Sequence, residues 1–455
     1  MKTESILLSK EQQNGLDKIK DFISFSKNIA FSLTGAAGTG KTLCIKHLIE
    51  WIEQYGYLYT LCAPTHKAAL VLKKYTERET NTIHRLLSLS PNIQILELDL
   101  RELEFITSKP CNNIPYNGIV ICDEASMIND DLFDLLIEKV SERNTKIIFV
   151  SDSAQLLPVK QQQKSKVYKL EDSYTLTKIY RQSEKNSILP ILQELREHEI
   201  GNLVNCPGEE GALIVDDDLK KFLERAINEI KIEINTKDIL HTKIVAYTNK
   251  RIELYNQAVR KQIFNNDLEY NKDEILTAYE NGTFEGIQYY NSMDYIITKE
   301  PEKVTKKLPH FTEVIGWNIR LYDQYLDAEF TVFILSKDNP EELFLSLGAT
   351  IENLRLKAIE AKSKKLRNSY IYWKKYYELS ESFATPIDLS YEKRVIKKKS
   401  FDYGYASTVH KSQGSSYDNI FVDMRNIRTC KDDLVRRQLQ YVALSRTRKD
   451  VFVLQ

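Results

Sequence analysis

The octapeptide Gly35-Ala-Ala-Gly-Thr-Gly-Lys-Thr42 fits the pattern G-x-x-x-x-G-K-[ST], and no other stretch of the chain restricts its fold as tightly. Such a loop cradles phosphate only where a strand leads into it and a helix leaves it, and both flanks are present. Asn28 to Thr34 (NIAFSLT) is a short apolar, β-prone run, and Leu43 to Gln54 (LCIKHLIEWIEQ) carries apolar residues at helical spacing. The backbone from Gly35 through Ala36, Ala37, Gly38, Thr39 and Gly40 can then wrap the β- and γ-phosphates at a helix N-terminus. Lys41 neutralises phosphate charge in this reading, and the Thr42 hydroxyl holds Mg²⁺. An α/β chain that binds a nucleoside triphosphate is the expectation.

A second run supports it. Gly118 to Met127 (GIVICDEASM) is a buried-strand pattern ending in adjacent carboxylates, which a sheet would deliver to the same edge as the phosphate loop. Asp123 is there a candidate ligand of the Mg²⁺ shell, and Glu124 a candidate to polarise an attacking water. A third run, Lys146 to Val150, ends in SDSAQLLPV, so Gln155 lies just past another strand end, where an amide can sense the γ-phosphate. IVAYTNK, NIFVDM and VFVL repeat the strand pattern in the second half, but no second phosphate loop occurs there. A second α/β domain that completes the cleft without a phosphate loop of its own follows.

The chain is long enough, at 455 residues, for two to four domains, and no repeat, linker-like or low-complexity tract divides it. Its 64 basic and 64 acidic residues cancel, so a polyanionic partner must be met by local patches. The six cysteines form no C-x-x-C pair, which favours a reduced intracellular protein without a zinc site. The N-terminus is too polar for a signal peptide and no run of eighteen apolar residues appears, so a soluble protein without membrane association is expected. Heavy use of Ile, Lys, Asn and Tyr points to an AT-rich bacterial or phage genome, and hence to the cytoplasm of a bacterium or an infected cell.

The motifs also fall into a known order. LSKEQQNGL, GAAGTGKT, APTHKAA (Ala63 to Ala69), TIHRLL (Thr82 to Leu87), CDEAS and SDSAQLLPV are followed by LTKIYRQ (Leu176 to Gln182), IVAYTNK (Ile244 to Lys250), ASTVHKSQGSSYD (Ala406 to Asp418) and LQYVALSRTR (Leu439 to Arg448). This series resembles the superfamily-one helicases of the RecD-like group over nearly the whole chain. The resemblance implies two RecA-like, doubly wound parallel-sheet domains, residues 1–87 with 118–180 and residues 181–250 with 400–455. It also implies a β-hairpin wedge at 88–117 and an SH3-like barrel with a helical tower at 251–399.

By the same resemblance Gln12 reads adenine, Arg181 and Arg446 are the arginines that stabilise the transferring phosphoryl group, and Gly414 borders the nucleotide. Tyr180 stacks on adenine or is a core tyrosine. The family often carries Glu where Ser416 stands, which puts a ribose contact from that position in question. On the polymer side, Pro64, Thr65, His66 and Lys67 occupy a strand-end loop suited to phosphate oxygens, and His84 and His410 recur in comparable settings. Thr248, Asn249, Thr408 and Lys411 belong to the same set of strand-contact candidates.

Within 88–117, Ile93 to Leu100 alternates as a hairpin strand would, and Pro91 with Phe105 is either a base-clamping pair or purely structural. Ala349 to Leu379 reads as one long helix, whose Lys362, Lys364, Lys365, Arg367, Lys374 and Lys375 form a DNA patch or a solvated face.

An ATP-dependent helicase or translocase is therefore expected, with Mg²⁺ as cofactor, moving 5′-to-3′ on single-stranded DNA and opening forked duplexes. It is expected to act as a monomer, with a single-strand-binding or replisome protein as a candidate partner. Two alternatives stay open, a 3′-to-5′ relative and a motor on an RNA or protein track, whereas a clamp without hydrolysis would need a broken catalytic set and Lys41, Thr42, Asp123, Glu124, Gln155 and Arg446 are all intact. A GTPase is disfavoured, because the nearest string to N-K-x-D, Asn249-Lys-Arg-Ile252, ends in Ile.

Overall fold

The computed structural model describes residues 7–107, 110–158, 161, 163–179, 188–208 and 211–455. Two parallel sheets form its centre. In the first, strands run in the order Thr80–Thr82, Tyr59–Ala63, Ile119–Cys122, Lys146–Ser151, Ala30–Gly35, Ser173–Leu176. Strand residues alternate between two faces, as a sheet covered on both sides requires. Ile119 and Ile121 pack under the helices Lys10–Phe25 and Lys41–Gln54, while Val120 and Cys122 pack under Asp130–Ser141. All strands point the same way, so the loops after Gly35, Ala63, Cys122 and Ser151 emerge on one edge.

The second sheet has the order Ala406–Thr408, Thr242–Ala246, Tyr417–Asp423, Thr447–Leu454, Leu213–Asp216, again all parallel. Helices Leu219–Thr236 and Asn249–Phe264 cover one face, and Leu189–Glu197 with Asp433–Leu444 the other. The sequence boundary at 250/251 falls inside Asn249–Phe264, a helix whose Ile252, Tyr255 and Val259 belong to this sheet's core.

Between these halves of the second sheet the chain makes an antiparallel sheet of Ile275–Ala278, Asp294–Ile297, Glu302–Lys307, Glu313–Asp323, Ala328–Leu335 and Phe401–Tyr403. Its core includes Tyr295, Trp317, Ile319 and Phe330.

Two expectations need correction. The run Ala349 to Leu379 is not one helix: the chain forms Glu341–Ser363 and Ser369–Ser380, and turns back between them. Lys365 adopts φ 53°, which no continuing α-helix allows, and the two helices pack Leu347, Ile351, Tyr376 and Leu379 into a shared core. Likewise Ile93 to Leu100 is not a strand. The antiparallel pairing lies outside it, Leu89–Pro91 with Phe105–Thr107, and the run between is a docked loop. The carbonyls of Ile93, Ile95 and Leu96 all accept from the buried Arg355 guanidinium of the helix Glu341–Ser363, and Leu98 is buried. Among the described residues no helix is long and apolar enough to cross a membrane.

Candidate functional site

The loop after Ala30–Gly35 enters the helix Lys41–Gln54 at Gly40, whose φ of 84° only glycine adopts without strain. A Cβ there would lie 2.2 Å from Gln12 Nε2, because Gln12 is clamped on the loop. Its amide donates to the Thr39 carbonyl at 2.9 Å and accepts the Ser9 N–H at 2.9 Å, closing a capping box on the helix Lys10–Phe25. Lys41 Nζ donates to the Gly35 and Ala36 carbonyls, each at 2.9 Å. The ammonium thus stands over the cradle its backbone builds.

Across the sheet edge, Asp123 and Glu124 follow Ile119–Cys122. Burial, then the neighbouring Glu124 charge, pushes the Asp123 carboxyl up to about 7, with the Glu124 N–H and Lys41 opposing. Glu124 sits at φ 53°, a left-handed conformation rare outside glycine and found at constrained sites. A half-buried carboxyl short of compensating charge, lining one cleft with Thr42 and a lysine-headed loop, is a donor set that fits a hard divalent cation. Gln155 is buried, and its Oε1 accepts the Ser126 hydroxyl at 3.3 Å.

These groups line one cleft of about 500 Å³ with residues of the second sheet: Gly414, Ser415, Ser416 and Arg446. Arg446 is buried, its guanidinium bonded to the Val442 carbonyl and the Ser445 hydroxyl at the end of its own helix. The cleft therefore carries cations from both sheets. A further link crosses the seam: the Tyr441 hydroxyl accepts the Ala37 N–H at 3.1 Å and donates to Asp152 at 2.6 Å, where Arg196 also binds at 2.8 Å. Tyr180 and Arg181 lie outside the described residues.

Sequence reasoning missed one wall. Ala68, Val71, Leu72 and Tyr75 of the helix His66–Thr76 line the cleft. Their three- and four-residue spacing was the available signal.

A second groove, of about 840 Å³, opens at the N-terminal end of that same helix. It gathers Pro64, Thr65, His66, Lys67, His84, Pro91 and Phe105 from the first half with His410 and Lys411 from the second. Pro91 faces Phe105 in the hairpin register, and Phe105 meets His84 edge-on at 4.6 Å between ring centroids. His66 stacks on Tyr290 of the antiparallel sheet at 4.1 Å. Burial, then the charges of His84 and Arg85, brings the His66 imidazole down to about 4; burial also lowers His84 and His410. All three imidazoles are thus shifted toward the neutral form, so they offer hydrogen bonds and ring faces rather than charge.

Its cations are Arg85 and Lys411. Lys411 Nζ lies 3.1 Å from the centroid of Tyr279, has no hydrogen-bond partner among the described residues, and burial brings it down to about 7. Arg85, Asn281, Asn291, Ser292 and Gln413 also line the groove and were not anticipated. Arg85 follows His84 directly and was legible; Asn281, Asn291 and Ser292 come from loops in the segment joining Ile275–Ala278 to Asp294–Ile297, which carries no motif.

Three expected strand contacts are elsewhere. Thr248 bonds Asn426, and Asn249 borders a separate pocket with Lys250, Tyr279 and Lys399. Thr408 is buried at a strand end, where its hydroxyl accepts the Lys411 N–H. A fourth, Lys67, borders the groove but turns its ammonium into the interior, toward Ser292, Asp294 and Tyr417.

Residues 8–217 match a family model described as an AAA domain, and residues 403–454 match a UvrD-like helicase C-terminal domain. The ATP-dependent DNA helicase dda of Enterobacteria phage T4 is 26% identical over 473 residues, covering 98% of both chains. The ATP-dependent RecD2 DNA helicase of Deinococcus radiodurans is 32% identical over 183 residues, which span 40% of this chain and 23% of that protein. Among solved structures, the Pif1 helicase from Candida albicans shares the fold with a TM-score of 0.52 at 16% identity, covering 99% of this chain and 94% of that one.

Proposed function

Because the chain is a superfamily-one helicase of the RecD-like group, we propose that its ATP hydrolysis drives it 5′-to-3′ along single-stranded DNA, parting a forked duplex ahead. One observation carries this reading. The helix His66–Thr76 lines the nucleotide cleft with Ala68, Val71, Leu72 and Tyr75, and borders the groove with His66 and Lys67 at its start. A change in cleft width must therefore move one wall of the groove, which is what a motor on a polymer requires.

In the cleft, Gly35 to Gly40 and Lys41 hold the ATP phosphates, and Gln12 sits where an adenine edge would be read. Thr42 and Asp123 would hold Mg²⁺, which adds positive charge at the phosphates when bound. Glu124 orients the attacking water, Gln155 senses the terminal phosphate, and Arg446 stabilises its charge in transfer. Thr65, His66, His84, Arg85, His410 and Lys411 hold the strand, and Pro91 with Phe105 meets an unstacked base. The hairpin Leu89–Thr107 acts as wedge; the antiparallel sheet and the paired helices at 341–380 correspond to the family's SH3-like barrel and tower. The chain works as a monomer in the cytoplasm.

The test is strand separation, with ATP and Mg²⁺, of two duplexes differing only in a 5′ or a 3′ single-stranded tail, with Lys41→Ala as the blank. Opening of the 5′-tailed duplex alone is expected. Opening from the 3′ tail alone would reverse the polarity, and ATPase indifferent to DNA would remove the DNA track.

A further inference from the structure

Lys67 stands in APTHKAA, beside residues that face the groove, yet its own side chain is only 7% exposed. Its ammonium lies 3.4 Å from the Ser292 carbonyl, 3.5 Å from the Tyr417 hydroxyl and 4.0 Å from Asp294 Oδ2. Those three acceptors come from two other parts of the molecule: Asp294 from the antiparallel sheet with Ser292 in the turn just before its strand, and Tyr417 from the second parallel sheet.

The acceptors themselves are firmly joined. Lys243 of the second sheet bonds Asp294 Oδ2 at 2.9 Å with its side chain 3% exposed, and also donates to the Gly404 carbonyl. Thr277 donates to the other Asp294 oxygen. The second parallel sheet and the antiparallel sheet thus share a buried, short-bonded joint, while the first sheet reaches it through one ammonium whose contacts all lie at the far edge of hydrogen-bond range. Burying two ammonium groups around one carboxylate is costly unless each is held well, and Lys67 is the one held poorly.

Its position in the chain gives the looseness a use. The next residue, Ala68, lines the nucleotide cleft and lies close enough to Gly414 that a Cβ there would meet Ala68 Cβ at 3.5 Å; the preceding residue, His66, lines the groove. We propose that Lys67 is the pivot of the motor, a positioning residue whose ammonium tightens onto Asp294 and Tyr417 as the cleft closes and so passes closure to the strand groove, rather than a contact to DNA phosphate. The assignment rests on the motor reading above.

Lys67→Met keeps the aliphatic stem and leaves the Lys243–Asp294 pair intact, and Tyr417→Phe removes only a hydroxyl. Each is compared with the wild type by fluorescence anisotropy on a labelled oligothymidylate across a salt series, with and without a non-hydrolysable ATP analogue and Mg²⁺. The pivot predicts that nucleotide-free affinity and its salt slope match the wild type for Lys67→Met. The nucleotide-induced change in strand affinity, about fivefold or more for a coupled pair of sites, collapses toward one. Tyr417→Phe shows a partial loss.

A salt slope reduced by about 0.7 with the nucleotide response intact would make Lys67 a phosphate contact and overturn the pivot. So would a full nucleotide response in both variants. Should Lys67→Met fail to fold, Tyr417→Phe decides alone, a wild-type response counting against the proposal. A wild type whose strand affinity ignores nucleotide would instead remove the motor reading, a result distinguishable because it appears before any substitution.

Discussion

Arg355 is the largest wholly buried side chain among the described residues, and it makes five hydrogen bonds. Two go to Glu352, each at 2.7 Å, from a pair with both side chains 1% exposed; three go to the carbonyls of Ile93, Ile95 and Leu96. Arg355→Met would strand a buried carboxylate and three carbonyls at once. Removing one partner of a buried ion pair costs about 3–5 kcal/mol, and the loop 93–100 keeps other anchors, Lys362 on Gln94 and Arg394 on the Leu96 carbonyl among them. Another is the Leu100 N–H, bonded to the Val395 carbonyl at 2.8 Å.

A chain of several domains does not unfold in one step, so the cost should be read locally, by hydrogen exchange at Leu100. A loss of about 3 kcal/mol speeds exchange by roughly a hundredfold. Because this loop joins the two hairpin strands, duplex opening should fall further than DNA-stimulated ATPase. The double change Glu352→Leu with Arg355→Met replaces the pair by apolar groups and should recover most of the protection. Unchanged exchange at Leu100 in the single variant, or a double variant no better than the single, would refute the argument that this ion pair fixes the loop.

Gly40→Ala forces a left-handed residue to carry a Cβ against Gln12, so binding of a fluorescent ATP analogue should weaken by roughly tenfold, a backbone strain of about 1–2 kcal/mol; an unchanged Kd would mean the loop reshapes freely. Arg446→Ala should lower the turnover number about a thousandfold while analogue binding changes by a few-fold, and equal losses in both would make Arg446 a binding residue only.

Burial, then Lys399, lowers the Lys411 ammonium to about 7, with Asp402 and Asp294 opposing. A strand phosphate would favour the charged form, so binding takes up a proton above that pH. Strand affinity should therefore be flat below about 7 and fall as pH rises past it, and Lys411→Arg should abolish the dependence; the same pH profile in wild type and variant would exclude Lys411 as its source.

What was legible in the sequence is what the chain builds locally. The phosphate loop, Asp123, Glu124 and Gln155 each follow a strand of one parallel sheet, so strand pattern plus motif places them on a common edge without knowledge of the rest. The second half of the cleft, Gly414 and Arg446, was accessible only through motif order, because nothing local links those residues to the loop. The failures have the opposite character. Ile93 to Leu100 alternates like a strand, yet its carbonyls at Ile93, Ile95 and Leu96 bond a helix some 260 residues away, and a period of two cannot tell a partner strand from a docked loop.

Lys67 repeats the lesson in charge rather than in period. A lysine between a histidine and two alanines at a strand end reads as a phosphate contact, and only acceptors 225 or more residues on, Ser292, Asp294 and Tyr417, show the ammonium turned inward. The seam it occupies explains why the two halves of the site were read separately: cleft and groove share the single helix His66–Thr76, whose Ala68, Val71, Leu72 and Tyr75 advertise one wall by spacing. The coupling between them resides in long contacts to the antiparallel sheet, which no local pattern encodes.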